Sequence, residues 1–231
     1  MSTPPALIDL DRVDVEIAGA AVLHDIDWRL VPGQHWGIVG ANGSGKSTLL
    51  ALIAGERWPA PGRGLRRYDF GGGPQTDAVH ARREIATVGP ELQDRYRHWD
   101  WNFRALDVVL SGLFRTDVPR KQPSLRETLR ARAILRELDL ARLADRPFLE
   151  LSRGEQRRVL IARGIAFGAR VLLLDEPASG LDRTARRELD AMLARAAEHT
   201  QLIATAHTLE DLPRPMTHML ELEGGRIVRR G

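Results

Sequence analysis

The run Gly40-Ala41-Asn42-Gly43-Ser44-Gly45-Lys46-Ser47 follows the spacing G-x-x-x-x-G-K-[S/T]. These residue types, so spaced, suit phosphate chemistry. Glycines let successive backbone N–H groups converge on phosphate oxygens, and a helix starting at the end of the run adds its partial positive charge. Lys46 has the reach for β- and γ-phosphates, and the Ser47 hydroxyl can ligate Mg²⁺. A second piece, Val171-Leu172-Leu173-Leu174, runs into Asp175 and Glu176. An apolar strand ending in two carboxylates puts Asp175 where it can hold Mg²⁺ through its water shell. Glu176, next along, can accept a proton from an attacking water. Taken alone, such a pair also fits a strand end that simply turns to solvent.

The elements that must position these groups alternate along the chain. Residues 7–17 have a period of two, with Val13, Val15 and Ile17 on one side, and predict an edge-type antiparallel strand. A second such strand covers 22–30, ended by Pro32 and Gly33. Residues 35–39 form a short apolar run suited to a strand buried on both faces, and 48–54 a helix closed by Gly55. Residues 58–73, rich in Pro, Gly and Arg, predict a loop region with room for short strands. Beyond it come a strand at 84–88, helical spacing over 106–144 and a helix at 152–166. A central parallel strand at 171–174, a helix at 184–197 and a strand at 201–205 follow, then a hairpin at 220–228 turning on Gly224 and Gly225. Strands alternating with helices imply an α/β fold with a mostly parallel sheet.

Composition narrows the function class. The chain has 231 residues, with 43% hydrophobic and 28% charged, enough apolar side chain for a real core. There is no cysteine, which excludes a disulfide scaffold, a thiolate zinc site and a catalytic thiol. The longest uncharged run, residues 30–45, holds five glycines and is too short and polar to cross a bilayer. The opening Met1-Ser2-Thr3-Pro4-Pro5 has neither the basic nor the apolar region of a secretory signal, so a cytoplasmic location is expected. Only Lys46 and Lys121 are lysines, and with a net charge of +3 the arginines read as solvated faces, so no nucleic acid partner is expected.

Together these motifs resemble the nucleotide-binding subunit of an ATP-binding cassette protein. Leu151-Ser152-Arg153-Gly154-Glu155 resembles that family's signature, Ser179-Gly180-Leu181-Asp182 its D-loop, and His207 its switch histidine. The markers stand in the family's order from about residue 7 to residue 228, so the resemblance spans nearly the whole chain. Each also has a local reading: Ser152 and Glu155 make a capping box, and His207 alone fits a structural histidine. The resemblance implies a RecA-like P-loop core over about 1–88 and 158–231, with N-terminal antiparallel strands and an inserted helical subdomain over about 89–157. It further implies a head-to-tail dimer, homo- or heteromeric, with each ATP between residues 40–48 of one chain and Ser152 to Gly154 of the other. In that arrangement Lys46, Thr48 and the rest of the loop hold phosphate, Ser47 and Asp175 hold Mg²⁺, Glu176 is the base and His207 contacts the γ-phosphate. Asp182 is then the D-loop contact.

Three positions depart from the family pattern. Ile17 stands where an aromatic residue usually stacks on adenine, and Glu155 where glutamine is commoner. The glutamine expected after the strand 84–88 would fall near Pro90, and the nearest candidate, Gln93, comes three residues late. The aromatic stretch 95–103, with Tyr96, Trp99, Trp101 and Phe103, fits either a partner's cytoplasmic helix or packing inside the helical subdomain. Two functions are carried forward. The first is an ATPase that energises a separate transmembrane permease, peripheral at the inner face of the membrane. The second is a soluble cassette ATPase of translation, DNA repair or cofactor metabolism.

Overall fold

The computed structural model describes residues 5–119 and 122–231; the Met1 to Pro4 segment read for a signal and Lys121 lie outside the described residues. In chain order the elements are β1 (Ile8–Ile17), β2 (Ala20–Leu30), β3 (Trp36–Val39), α1 (Lys46–Ile53), β4 (Leu65–Tyr68), α2 (Ala78–Glu84) and β5 (Ile85–Val88). There follow α3 (Pro90–His98), α4 (Ala105–Leu113), α5 (Leu125–Glu137), α6 (Arg153–Ala166), β6 (Val171–Leu174), α7 (Arg183–Ala196), β7 (Gln201–Ala206), β8 (His218–Glu223) and β9 (Arg226–Arg230). Strands β2-β1-β4 make an antiparallel sheet, and β5-β6-β7-β3-β8-β9 a second sheet, parallel except for the β8–β9 hairpin.

Four consecutive apolar residues in β6 are explained by the two cores. Leu172 and Leu174 join the cluster on the helical side, with Val159, Ile161 and Leu193, while Val171 and Leu173 join the opposite cluster, with Ile38, Leu49 and Trp28. A strand buried on both faces has no reason to alternate. Each fully buried Leu or Val there contributes roughly 1.5–3 kcal/mol relative to exposure.

Three expectations are corrected. Strand β1 is not an edge: it pairs with both β2 and β4. Its alternation reports one solvated face, where Asp9 meets Arg67 at 3.0 Å and Arg29 at 3.4 Å, and a central strand over water alternates as an edge does. The helical spacing over 106–144 resolves into α4, α5 and a 3₁₀ turn at Ala141–Leu143. Helices α2 and α3 were not expected. Of the nine residues of α3 only Leu92, Gln93 and Tyr96 are buried, too narrow a stripe to read as amphipathic. In the aromatic stretch, Tyr96 is enclosed against Trp101 and Phe148, with ring centroids 5.4 and 4.8 Å away, so it serves the interior, while Trp99 is 61% exposed. The expected subdomain boundary near residue 157 falls inside α6.

Candidate active site

The phosphate-type loop joins the end of β3 to α1. Two of its glycines are required sterically. A Cβ on Gly40 would lie 2.3 Å from the Leu222 carbonyl oxygen and 2.6 Å from Ser44 Oγ. Gly45, the residue before α1, has φ +104°, a left-handed conformation that side chains resist. It also offers no side chain to cap the helix, so the N-terminus of α1 is left to an outside acceptor. The β8–β9 turn buttresses the loop, with Gly225 N–H donating to Ser44 O at 3.1 Å. Lys46, 5% exposed, folds its ammonium back onto Gly40 O at 2.8 Å and Ala41 O at 3.0 Å. Ser44 Oγ is buried with no hydrogen-bond partner. An orphaned hydroxyl beside an ammonium and a free helix N-terminus fits an oxyanion. Ala41, Asn42, Gly43 and Ser47 are exposed, and Thr48 is half-buried.

Strand β6 delivers the carboxylates to the same place. Glu176 Oε1 lies 4.0 Å from Lys46 Nζ and 3.1 Å from His207 Nε2. The spacing therefore brings Lys46, Glu176 and His207 together from three elements. Glu176 has φ +47°, unusual for a side-chain-bearing residue and of the kind that clusters at active sites. Thr205, fully buried at the end of β7, stabilises the pair: its hydroxyl donates to Asp175 Oδ1 at 2.6 Å and accepts from Glu176 N–H at 2.9 Å. Sequence reasoning missed Thr205; its only signal was a hydroxyl inside the apolar run that follows Gln201. Glu176, Thr205 and His207 open on a cavity of about 190 Å³ that is also lined by Ser179, Gly180 and Arg186.

Ser152 is the N-cap of α6, with a full capping box: Glu155 N–H donates to Ser152 Oγ at 3.2 Å and Ser152 N–H to Glu155 Oε2 at 3.1 Å. Glu155 is thereby turned onto its own helix and paired to Arg142 at 3.0 Å. Burial pushes its carboxyl up, but the Ser152 bonds and the Arg142 guanidinium outweigh that and hold it below the usual carboxylate range. Gly154 lies against Leu181 and Ala185, beside the segment 179–182. Asp182 caps α7 by accepting from Ala185 N–H at 2.8 Å. Among the described residues, no hydrogen bond or ion pair joins Ser152 or Gly154 to the loop at 40–48.

Gln93 is a correction. Its amide donates to Gln156 Oε1 at 2.9 Å and Arg153 O at 3.3 Å, and it is 6% exposed. Lying within α3, it points into the seam with α6. The backbone that nears Asp175 is Gly89, where an added Cβ would come within 3.1 Å of Asp175 Cβ. Ile17 ends β1 at the tight turn through Ala18 and Gly19, half-buried. The next strand runs beside the loop, with Leu23 Cδ2 2.8 Å from the Cβ position of Gly45. Among the described residues no cluster of three or more acidic or imidazole ligands could hold a metal alone, and no helix is long and apolar enough to cross a membrane.

Comparisons with known proteins give the family. The family model described as ABC transporter matches residues 23–179. The Lactococcus lactis protein YmeB, described as an uncharacterized ABC transporter ATP-binding protein, is 31% identical over 229 residues, covering 97% of this chain and 86% of that one. The taurine import ATP-binding protein TauB of Pseudomonas entomophila is 34% identical over 231 residues, covering 97% and 83%. Among solved structures, cbiO1 from Clostridium perfringens, part of the ABC transporter complex cbiONQ, matches with a TM-score of 0.82 at 23% identity, covering 98% and 88%. That last likeness concerns the fold. The loop, the carboxylate pair and the matched family model lead to one conclusion: the chain belongs to the ABC transporter family and is an ATP-binding, ATP-hydrolysing subunit.

Proposed function

We propose that this ATPase energises a separate membrane-spanning partner, with two copies closing head to tail around ATP and reopening after hydrolysis. One observation carries the proposal: the phosphate-loop lysine and the histidine after β7 converge on a single carboxylate, Glu176. The import ATP-binding relatives support transport as its use. Residues 1–88 and 158–231 serve as the core, and 89–157 as an inserted helical subdomain.

ATP places its phosphates on the backbone N–H groups of Gly40 to Thr48, where the α1 N-terminus and the orphaned Ser44 hydroxyl receive them. Lys46 exchanges its bonds to Gly40 O and Ala41 O for phosphate oxygens. Ser47 and Asp175 supply a hydroxyl and a carboxylate, a set suited to a hard cation that keeps much of its water. A Mg²⁺ ion bound by these two groups would supply positive charge to offset that of the phosphates. The Glu176 carboxylate orients the attacking water and accepts its proton while the water oxygen bonds to the γ-phosphorus and the bond to ADP breaks. His207 Nε2 steadies that carboxylate at 3.1 Å, and in this reading it contacts the γ-phosphate as well. Ser152 and Gly154 of the second copy bring a capped helix N-terminus to the same phosphate, and Asp182 orders the D-loop beside it. Hydrolysis cuts the γ-phosphate from the nucleotide and so removes the bridge between the two copies, and the dimer opens.

The test is affinity purification from native membranes. A polytopic membrane protein should co-purify, and deleting it should release the ATPase to the soluble fraction. A chain that is wholly soluble at low salt, with or without such a partner, overturns the transport role in favour of the soluble cassette ATPase.

A further inference from the structure

Arg157 stands on α6 a little over one turn beyond the Ser152 cap. Its Nη1 donates to three carbonyl oxygens of one loop: Glu176 O at 3.3 Å, Pro177 O at 2.9 Å and Ser179 O at 2.8 Å. Among the described residues no carboxylate lies within ion-pair distance of Arg157. Burial and the nearby Arg153 push this guanidinium down, while Glu176 acts in the opposite sense. Its charge is therefore directed at backbone, in the segment where Glu176 holds φ +47°. A left-handed non-glycine residue persists only where its surroundings over-determine it. Here Thr205 holds the N–H of Glu176 and Arg157 shares its carbonyl with Ser179 N–H.

The same short stretch of α6 has a second tie. Gln93 binds Arg153 O and the Gln156 side chain, and Gly89, the residue before its helix α3, lies against Asp175. Links from the first turns of α6 thus lead to the main chain of Glu176 directly and to the neighbourhood of Asp175 through α3. We propose that Arg157 is a positioning residue that couples the cap of α6, which acts on the partner copy's ATP, to the backbone of this copy's base. The proposal rests on the two-copy arrangement above. Seating of phosphate at Ser152 in one site then sets the geometry of Glu176 in the other, through one rigid, capped helix.

The experiment uses the full chain in steady-state ATPase assays. R157M removes every donor and keeps the aliphatic stem. Its kcat should fall by roughly 30- to 100-fold, the scale of a misplacement of about 1 Å, with KM for ATP within about twofold. The Hill coefficient for ATP should exceed one in the wild type and approach one in R157M. R157K, which restores a cation with three donors, should recover most of kcat. ATP-dependent dimers should still form in the E176Q/R157M double variant, because no phosphate contact is lost. A kcat within twofold of wild type, an unchanged Hill coefficient, or a loss that tracks melting temperature and is not relieved by R157K overturns the inference. If R157M does not fold, R157Q takes its place under the same criteria, with R157K kept as the rescue. An E176Q variant that is fully active removes the underlying mechanism, whereas an inactive E176Q beside a normal R157M removes only the coupling.

Discussion

The two halves of the candidate catalytic centre are held together by different means. Residues 40–48 are positioned mainly by main chain: the end of β3, the start of α1, and Gly225 N–H on Ser44 O. Residues 175–179 are positioned by side chains from remote elements: Thr205 of β7, Arg157 of α6 and His207 after β7. The first half is a consecutive stretch whose geometry is set by where glycine is obligatory. The second is an ordinary strand end until three distant residues converge on it. Binding can therefore persist when chemistry is lost, but not the reverse.

The largest expected effect divides the halves outright. Glu176→Gln keeps the size of the side chain but cannot take a proton, so hydrolysis should fall by roughly two to four orders of magnitude. Nucleotide should still bind through Lys46 and Ser47, and an ATP-dependent dimer should persist on size-exclusion chromatography. Lys46→Ala should instead lose nucleotide affinity by calorimetry and form no such dimer. Wild-type turnover in Glu176→Gln would remove the division.

Thr205→Val comes next. It strands Asp175 Oδ1 and the Glu176 N–H without a partner, and should cost roughly 1–3 kcal/mol of stability in denaturant unfolding. ATPase should fall while ATP binding holds, since the phosphate loop is untouched. Equal losses of binding and turnover would mean that the two halves are not separate.

Ile17→Tyr sharpens the binding half alone. An aromatic face at the β1–β2 turn should tighten ATP binding by roughly 0.5–1.5 kcal/mol where it stacks, with turnover at saturation unchanged. Unchanged affinity would place the base of the nucleotide elsewhere.

The smallest effect serves as a control at the far end of β3. His35 titrates below its usual 6.5, because burial disfavours the imidazolium and His218 repels it. Its Nδ1 accepts Leu202 N–H at 3.1 Å, which also requires the neutral ring at that atom. As pH falls below 6.5 the unfolded chain binds this proton first, so stability declines with acidification and is recovered above that value. Melting temperatures between pH 7.5 and 5 should fall more steeply in the wild type than in His35→Asn. Parallel curves would exclude His35 as the source.

Much of the architecture could be read from sequence because it is local. The run at 40–47 identifies a phosphate loop from adjacent residues, and Ser152 with Glu155 states a capping box within four residues. The uninterrupted apolar run of β6 reports a strand buried on two sides. Strand order was not local: β1 reads as an edge because alternation counts solvated faces and not neighbours. Helix α3 escaped because three buried residues in nine leave no clear period.

Residue type and spacing by themselves determined which residues form the phosphate-type loop, since glycine freedom, an ammonium and a helix start act over a few consecutive residues. Tertiary structure alone decided where Gln93 points, that Thr205 bridges Asp175 and Glu176, and that Arg157 grips the loop between β6 and α7. Those contacts join residues about 19 to 63 apart in the chain. A hydrogen bond needs its partners within about 3 Å at a defined angle, which only the packed sheet and its helices impose.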